Sequence, residues 1–240
     1  MGKLNIFFGH FSELRLTLIR SLFIYLFIFV LMMFFANEIY NFFSQPLLNQ
    51  LILLDGSLIS TKLTATFLVP LKITAYSALI VSLPFIFFQI WNFVSPGLYK
   101  NEKQFVIRTM IFSFILFLLG TVFVYFLIFP LMFSFFISIA PKDVKLMIDI
   151  SYYLQMIITL FLAFGLAFQV PLFLITAVKF NWIQIKTLEK NRKFVIVVAF
   201  IFGAIFTPPD VISQVLLALP ILFLYEIGLF ISKKSKTKRY

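Results

Sequence analysis

A succession of long apolar runs, each set off by lysines, arginines or helix breakers, constrains this chain more than any other feature. Six read as helices, at about 16–36, 68–91, 110–129, 153–178, 194–206 and 212–231. A helix of about 20 apolar residues matches a hydrocarbon layer about 30 Å thick. Barrel strands would alternate in polarity over about ten residues, whereas these runs are apolar all round. With 62% hydrophobic and 12% charged residues, 240 residues hold more apolar surface than one aqueous core can bury. The expected class is therefore an all-α membrane protein. Residues 1–240 form a single polytopic domain, and 232–240 a basic tail. The fifth and sixth helices are expected to be short, joined by "TPPD" as a shallow hairpin or seated where the bilayer thins.

Charge sets the orientation. Most Lys and Arg residues fall in the head (Lys3, Arg15, Arg20), after the second run (Lys100, Lys103, Arg108), after the fourth (Lys179 to Lys193) and in the tail. By the positive-inside rule both termini face the cytoplasm, or an organelle's matrix or stroma. The expected location is a bacterial plasma membrane or an organelle inner membrane. The net charge of +11 is dispersed at the ends of apolar runs, which suits anionic lipid headgroups rather than nucleic acid. The opening stretch is expected to be an anchor and not a cleaved signal. Its apolar run is long, no small-x-small site closes it, and Glu13 stands in its head.

No cysteine and one histidine leave no expected metal, haem or disulfide, and no cofactor. His10 stands alone as an interfacial polar residue, and no Ser or Thr has an evident activating base, so no catalytic residue is expected. Within the membrane, Gln169 needs a hydrogen-bond partner on another helix or in a wet cavity. Pro171 predicts a bend beside it. Pro208 and Pro209 close a turn, and Asp210 is placed to cap the helix that follows. Glu226 and Lys72, near span ends, are expected to snorkel. In "WNFVSPGLYKNEKQF", Glu102 either pairs with its neighbouring lysines or joins Glu13 in accepting a cationic ligand.

Taken in order, "HFSELRLTLI", "ANEIYNFFSQPL", "FVSPGLYKNEK", "FGLAFQVP" and "FTPPDVISQVLLALP" with "LYEIG" resemble the TatC family, the multi-spanning receptor subunit of the twin-arginine protein translocase. The resemblance runs from about His10 to Phe230. It implies a glove-shaped six-helix bundle that binds the twin-arginine signal peptides of folded cargo proteins. Carried over by motif, Glu102 is the principal acidic residue, Glu13 its partner and Arg15 its neighbour, with Phe93, Leu98 and Lys100 around them. A guanidinium presents paired N–H donors to a carboxylate, which distinguishes Arg from Lys. The resemblance assigns Gln169, Thr207 and Gln214 to contacts with single-span TatA- and TatB-type subunits, in a hetero-oligomer surrounded by membrane lipids. Pro46 and Asp210 match loop positions on the far side. Gln169 stands where the family commonly has Glu; an amide cannot titrate, but it can still hydrogen-bond a partner helix.

Two other classes stay open. A proton- or ion-coupled small-molecule transporter would need a file of titratable groups through the bundle, which Gln169, Lys72 and Glu226 do not make. A structural subunit of a respiratory complex fits the composition but leaves Glu13 and Glu102 without a role.

Overall fold

The computed structural model describes residues 2–51, 56–94, 100–139, 146–207 and 210–237, with side chains for 13–90 and 104–234 of these. Ten α-helices and two short strands follow in order: α1 (Gly2–Met33), α2 (Ala36–Leu51), β1 (Ser57–Ile59), α3 (Ala65–Val94), α4 (Lys100–Phe123), α5 (Phe129–Ile139), β2 (Met147–Asp149), α6 (Ile150–Ala167), α7 (Val170–Lys179), α8 (Ile185–Lys190), α9 (Arg192–Phe206) and α10 (Val211–Thr237). Among the described residues, five stretches are long and apolar enough to cross a membrane: Glu13–Met33, Ala65–Ile90, Gln104–Ile139, Ile150–Lys179 and Val211–Lys234. Side chains such as Phe23, Phe27, Phe126 and Phe230 are 67% to 70% exposed on these stretches. Such an apolar surface calls for lipid as solvent.

The chain divides into two compact units. In the first, residues 1–43 and 62–114, α1 lies along α3. Small and β-branched residues let helices approach where no hydrophobic drive acts between them. Val69, Ile73, Thr74, Ala78 and Ser82 of α3 are accordingly buried, as is Ser21 of α1. The Tyr25 hydroxyl donates to the Ala75 carbonyl at 3.4 Å. Thr74 and Ser82 satisfy their hydroxyls on their own helix, at Pro70 and Leu79.

In the second unit, residues 44–61 and 115–240, an aromatic core forms where Phe129 meets Phe161 edge-on and Phe133 meets Tyr153. Beside it, α10 packs on α7 and α9. Gly228 faces the Pro171 main chain, where an added Cβ would lie 2.8 Å from Pro171 Cα. Leu174, Val178, Leu188, Tyr225 and Leu229 make the buried cluster there. Asn181 leaves α7 at φ 58°, a left-handed conformation that Asn tolerates, and Trp182 N–H returns to the Ala177 carbonyl at 2.9 Å.

Three expected boundaries are corrected. The third run does not stop at Phe129: Pro130 is carried through by a π-helical turn over Val124–Ile128 into α5. Pro130 has no N–H for the carbonyl four residues back, and the wider turn accommodates its ring. The sixth helix is not short, since α10 has 27 residues and continues past Ile231 into the basic tail, where no Pro or Gly interrupts it. The first helix begins at Gly2, ahead of the apolar run. By contrast α9 is short, with 15 residues, or about 22 Å at 1.5 Å per residue.

The bend expected near Pro171 is present. Pro171 cannot donate to the Ala167 carbonyl, and α6 ends at that residue. Phe168 and Gln169 make the turn, with Gln169 N–H on the Leu166 carbonyl at 2.9 Å.

Candidate functional site

Among the described residues, five small polar groups stand out. On α1, Glu13 and Arg15 are both exposed. Two residues apart on a helix, they point about 200° apart and do not face each other. Glu13 shares its stripe with Thr17 and Arg20, and the Thr17 hydroxyl donates to the Glu13 carbonyl at 2.9 Å. Phe93 sits in the last turn of α3, and Lys100 and Glu102 open α4. The side chains of these three, and all of Leu98, lie outside the described residues, as do Pro208 and Pro209.

The turn between α9 and α10 brings Thr207, Asp210 and Gln214 together. Gly203 lets α10 approach closely: a Cβ there would lie 3.0 Å from Gln214 Cγ and 3.1 Å from the Gln214 carbonyl oxygen. Gln214 Nε2 then donates to the Phe200 carbonyl at 2.8 Å. Buried Thr207 donates its hydroxyl to the Gly203 carbonyl at 2.9 Å. The Thr207 hydroxyl thus joins its own N–H on the Gly203 carbonyl, and Gln214 ties α10 to the main chain of α9. Asp210 caps α10 as expected, its Oδ1 accepting Ser213 N–H at 2.7 Å. Among the described residues its Oδ2 and the Ser213 hydroxyl are buried without a hydrogen-bond partner. A pocket of about 590 Å³ opens alongside, lined by Ala167, Val170, Val198, Phe202 and Ile221 among others.

Gln169 is half-buried at the α6–α7 break, where its Nε2 reaches the Gly165 carbonyl at 3.4 Å. The surroundings are tight. A Cβ on Gly165 would lie 2.4 Å from Phe117 Cε2, and one on Gly120 2.7 Å from the Phe164 carbonyl oxygen.

Two groups escape sequence reasoning. The first is centred on Asp149, which is 8% exposed. Strands β1 and β2 pair in parallel, Ser57 with Met147 and Ile59 with Asp149. The Asp149 carboxylate accepts the hydroxyl and N–H of Thr61 on Oδ2, and Ser151 N–H at 2.7 Å on Oδ1. Those donors, the Thr61 hydroxyl foremost, hold its carboxyl well below the usual carboxylate range. The "DIS" pattern ahead of α6 is a cap signal that could have revealed half of this knot. Pro46, expected at a loop position, instead lies half-buried within helix α2.

The second is a clasp that joins α8 and the start of α9 to α10. Glu189 pairs with Lys233, which lowers the Glu189 pKa, and Arg192 meets Glu226 at 2.7 Å. The Tyr225 hydroxyl donates to the Leu188 carbonyl at 2.9 Å. Glu226, expected to snorkel, is half-exposed and held by an arginine.

Lipid-facing helices and a proline-broken span define an integral multi-pass membrane protein. Comparison with known proteins makes this specific. The family model of the Sec-independent protein translocase protein (TatC) matches residues 9–220. The chain is 40% identical over 229 residues to the Sec-independent protein translocase protein TatC of Haemophilus influenzae, covering 95% of this chain and 89% of that one. It is 40% identical over 225 residues to the protein of that name from Escherichia coli K12, covering 93% and 86%. A crystal structure of the twin-arginine translocase receptor TatC superposes with a TM-score of 0.80 at 33% identity, over 95% of this chain and 99% of that one. The chain belongs to the TatC family.

Proposed function

We propose that this chain is the receptor and organising core of a twin-arginine translocase. It binds the twin-arginine signals of folded cargo and gathers TatA- and TatB-type single-span subunits, with the energised membrane as power source and no catalysis of its own. The observation that carries this reading is the match to the receptor structure at a TM-score of 0.80 over nearly the whole chain. Glu13 and Glu102 are the carboxylates that grip the arginine pair, and Arg15, Phe93, Leu98 and Lys100 shape the surface around them. The exposure of Glu13 at the start of a lipid-facing stretch supports this role. Gln169, Thr207 and Gln214 serve partner helices. Gly203, which draws α9 and α10 together beside Thr207 and Gln214, supports a preformed docking edge. Both termini lie on the cytoplasmic side, following the distribution of lysine and arginine.

Site-specific photocrosslinking tests the receptor role. Photoreactive residues at positions 93 and 102 are expected to capture a twin-arginine precursor, and to lose it when the signal carries two lysines. Equal capture of both signals would sink the guanidinium argument.

A further inference from the structure

We propose that the apolar groove between α3 and α4 seats one acyl chain of an anionic phospholipid, whose phosphate is met by Arg108. The groove holds about 310 Å³ and is lined by Pro84, Phe87 and Phe88 of α3 and by Ile107, Ile111 and Phe114 of α4. Among the described residues no charged side chain lines it. Among helices surrounded by lipid, a dry cleft of this kind gains nothing from the hydrophobic effect, so shape and the charge at its mouth choose the occupant.

The mouth is basic. Gln104, Ile107, Arg108 and Ile111 recur at i, i+3, i+4 and i+7, one continuous stripe of α4, and all four are exposed. Along that stripe Gln104 precedes the first wall residue, Ile107, which Arg108 flanks, and Ile111 continues the wall one turn further on. Arg108 precedes Phe114 by about 9 Å of helix rise. This is the layout of a lipid molecule, head above and chain below. A guanidinium forks onto phosphate oxygens, and basic sites between membrane helices recognise anionic headgroups. Lys100 and Lys103 precede Arg108 at the same end of the helix, which favours a headgroup with net negative charge over a zwitterionic one. The inference does not rest on the receptor role.

The test uses the purified full-length protein, stripped of lipid in detergent and titrated with phosphatidylglycerol or phosphatidylcholine of matched chains. Retained lipid is counted by native mass spectrometry. Phosphatidylglycerol is expected to be preferred, and Arg108→Gln to weaken its binding about five-fold while leaving phosphatidylcholine unchanged. Arg108→Lys should keep most of the preference. Met110→Trp, which fills the groove, should lower both lipids; if it aggregates, Ile111→Trp at a 55% exposed position gives the same steric reading. Equal retention of the two lipids, or a preference that survives Arg108→Gln, would overturn the headgroup contact. Retention unaffected by the tryptophan wedge, or competition by inorganic phosphate alone, would overturn the acyl-chain seat. Displacement of the lipid by an apolar signal-type peptide that crosslinks from position 111 would assign the groove to peptide instead.

Discussion

Replacing Gly228 with alanine puts the helix packing to a sharp test, because two known effects oppose each other there. In an exposed helix interior the change is favourable by about 1 kcal/mol, since alanine loses less backbone freedom. At Gly228 the new methyl would stand 2.8 Å from Pro171 Cα and 2.9 Å from Leu174 Cδ1. Carbon atoms rest at about 3.5–4.0 Å, so α7 and α10 must part by roughly 0.7 Å or strain in place. Leu174 can rotate, but the Pro171 main chain cannot.

Such overpacking costs about 1–3 kcal/mol, which exceeds the propensity gain, so Gly228→Ala should be destabilising by about 0–2 kcal/mol. The separation would be felt by Leu174, Val178 and Leu229 in the adjoining cluster. The assay is reversible unfolding in mixed micelles, followed by circular dichroism, for wild type, Gly228→Ala, Leu174→Ala and the double variant. Leu174→Ala relieves only the side-chain contact, so Gly228→Ala should stay unfavourable in that background. A single variant more stable than wild type by the full propensity gain would refute the close approach.

Two further outcomes are expected. Because the donors around Asp149 depress its pKa, its stabilising effect is present above the ordinary carboxylate range and is lost as pH falls below it. Thermal midpoints and hydrogen-exchange protection of residues 57–61 should drop on acidification in wild type, and Asp149→Asn should flatten that dependence; parallel curves would remove Asp149 as the source. Gln169→Leu should weaken association with single-span subunits by about 0.6 kcal/mol, roughly three-fold, as membrane hydrogen bonds do; unchanged co-purification and export would leave Gln169 a purely internal contact.

The class of fold was legible because lipid demands long uninterrupted apolar helices, and nothing else produces such runs. Pro171 also declared itself, since a proline inside a span must free a carbonyl. Pro130 misled for the same reason: the rule says that a carbonyl is freed, not whether the chain stops or widens by one residue into a π turn. Strands β1 and β2 were invisible because three-residue segments carry no periodic signal, and the Thr61–Asp149 contact spans 88 residues. Thr207 and Gln214 stood out as polar residues flanking a turn. Their bonds to Gly203 and Phe200 depend on a helix crossing that only Gly203's missing side chain permits.

The knot at Asp149 requires that Thr61 and Asp149 lie on one face of the membrane. Between Ile59 and Met147 the chain makes an out-and-back passage through α3 and then α4 with α5. Were one passage skipped, Thr61 and Asp149 would be stranded on opposite faces of a film about 30 Å deep, far beyond bonding reach. Ladder and carboxylate can fasten only when the number of passages between them is even.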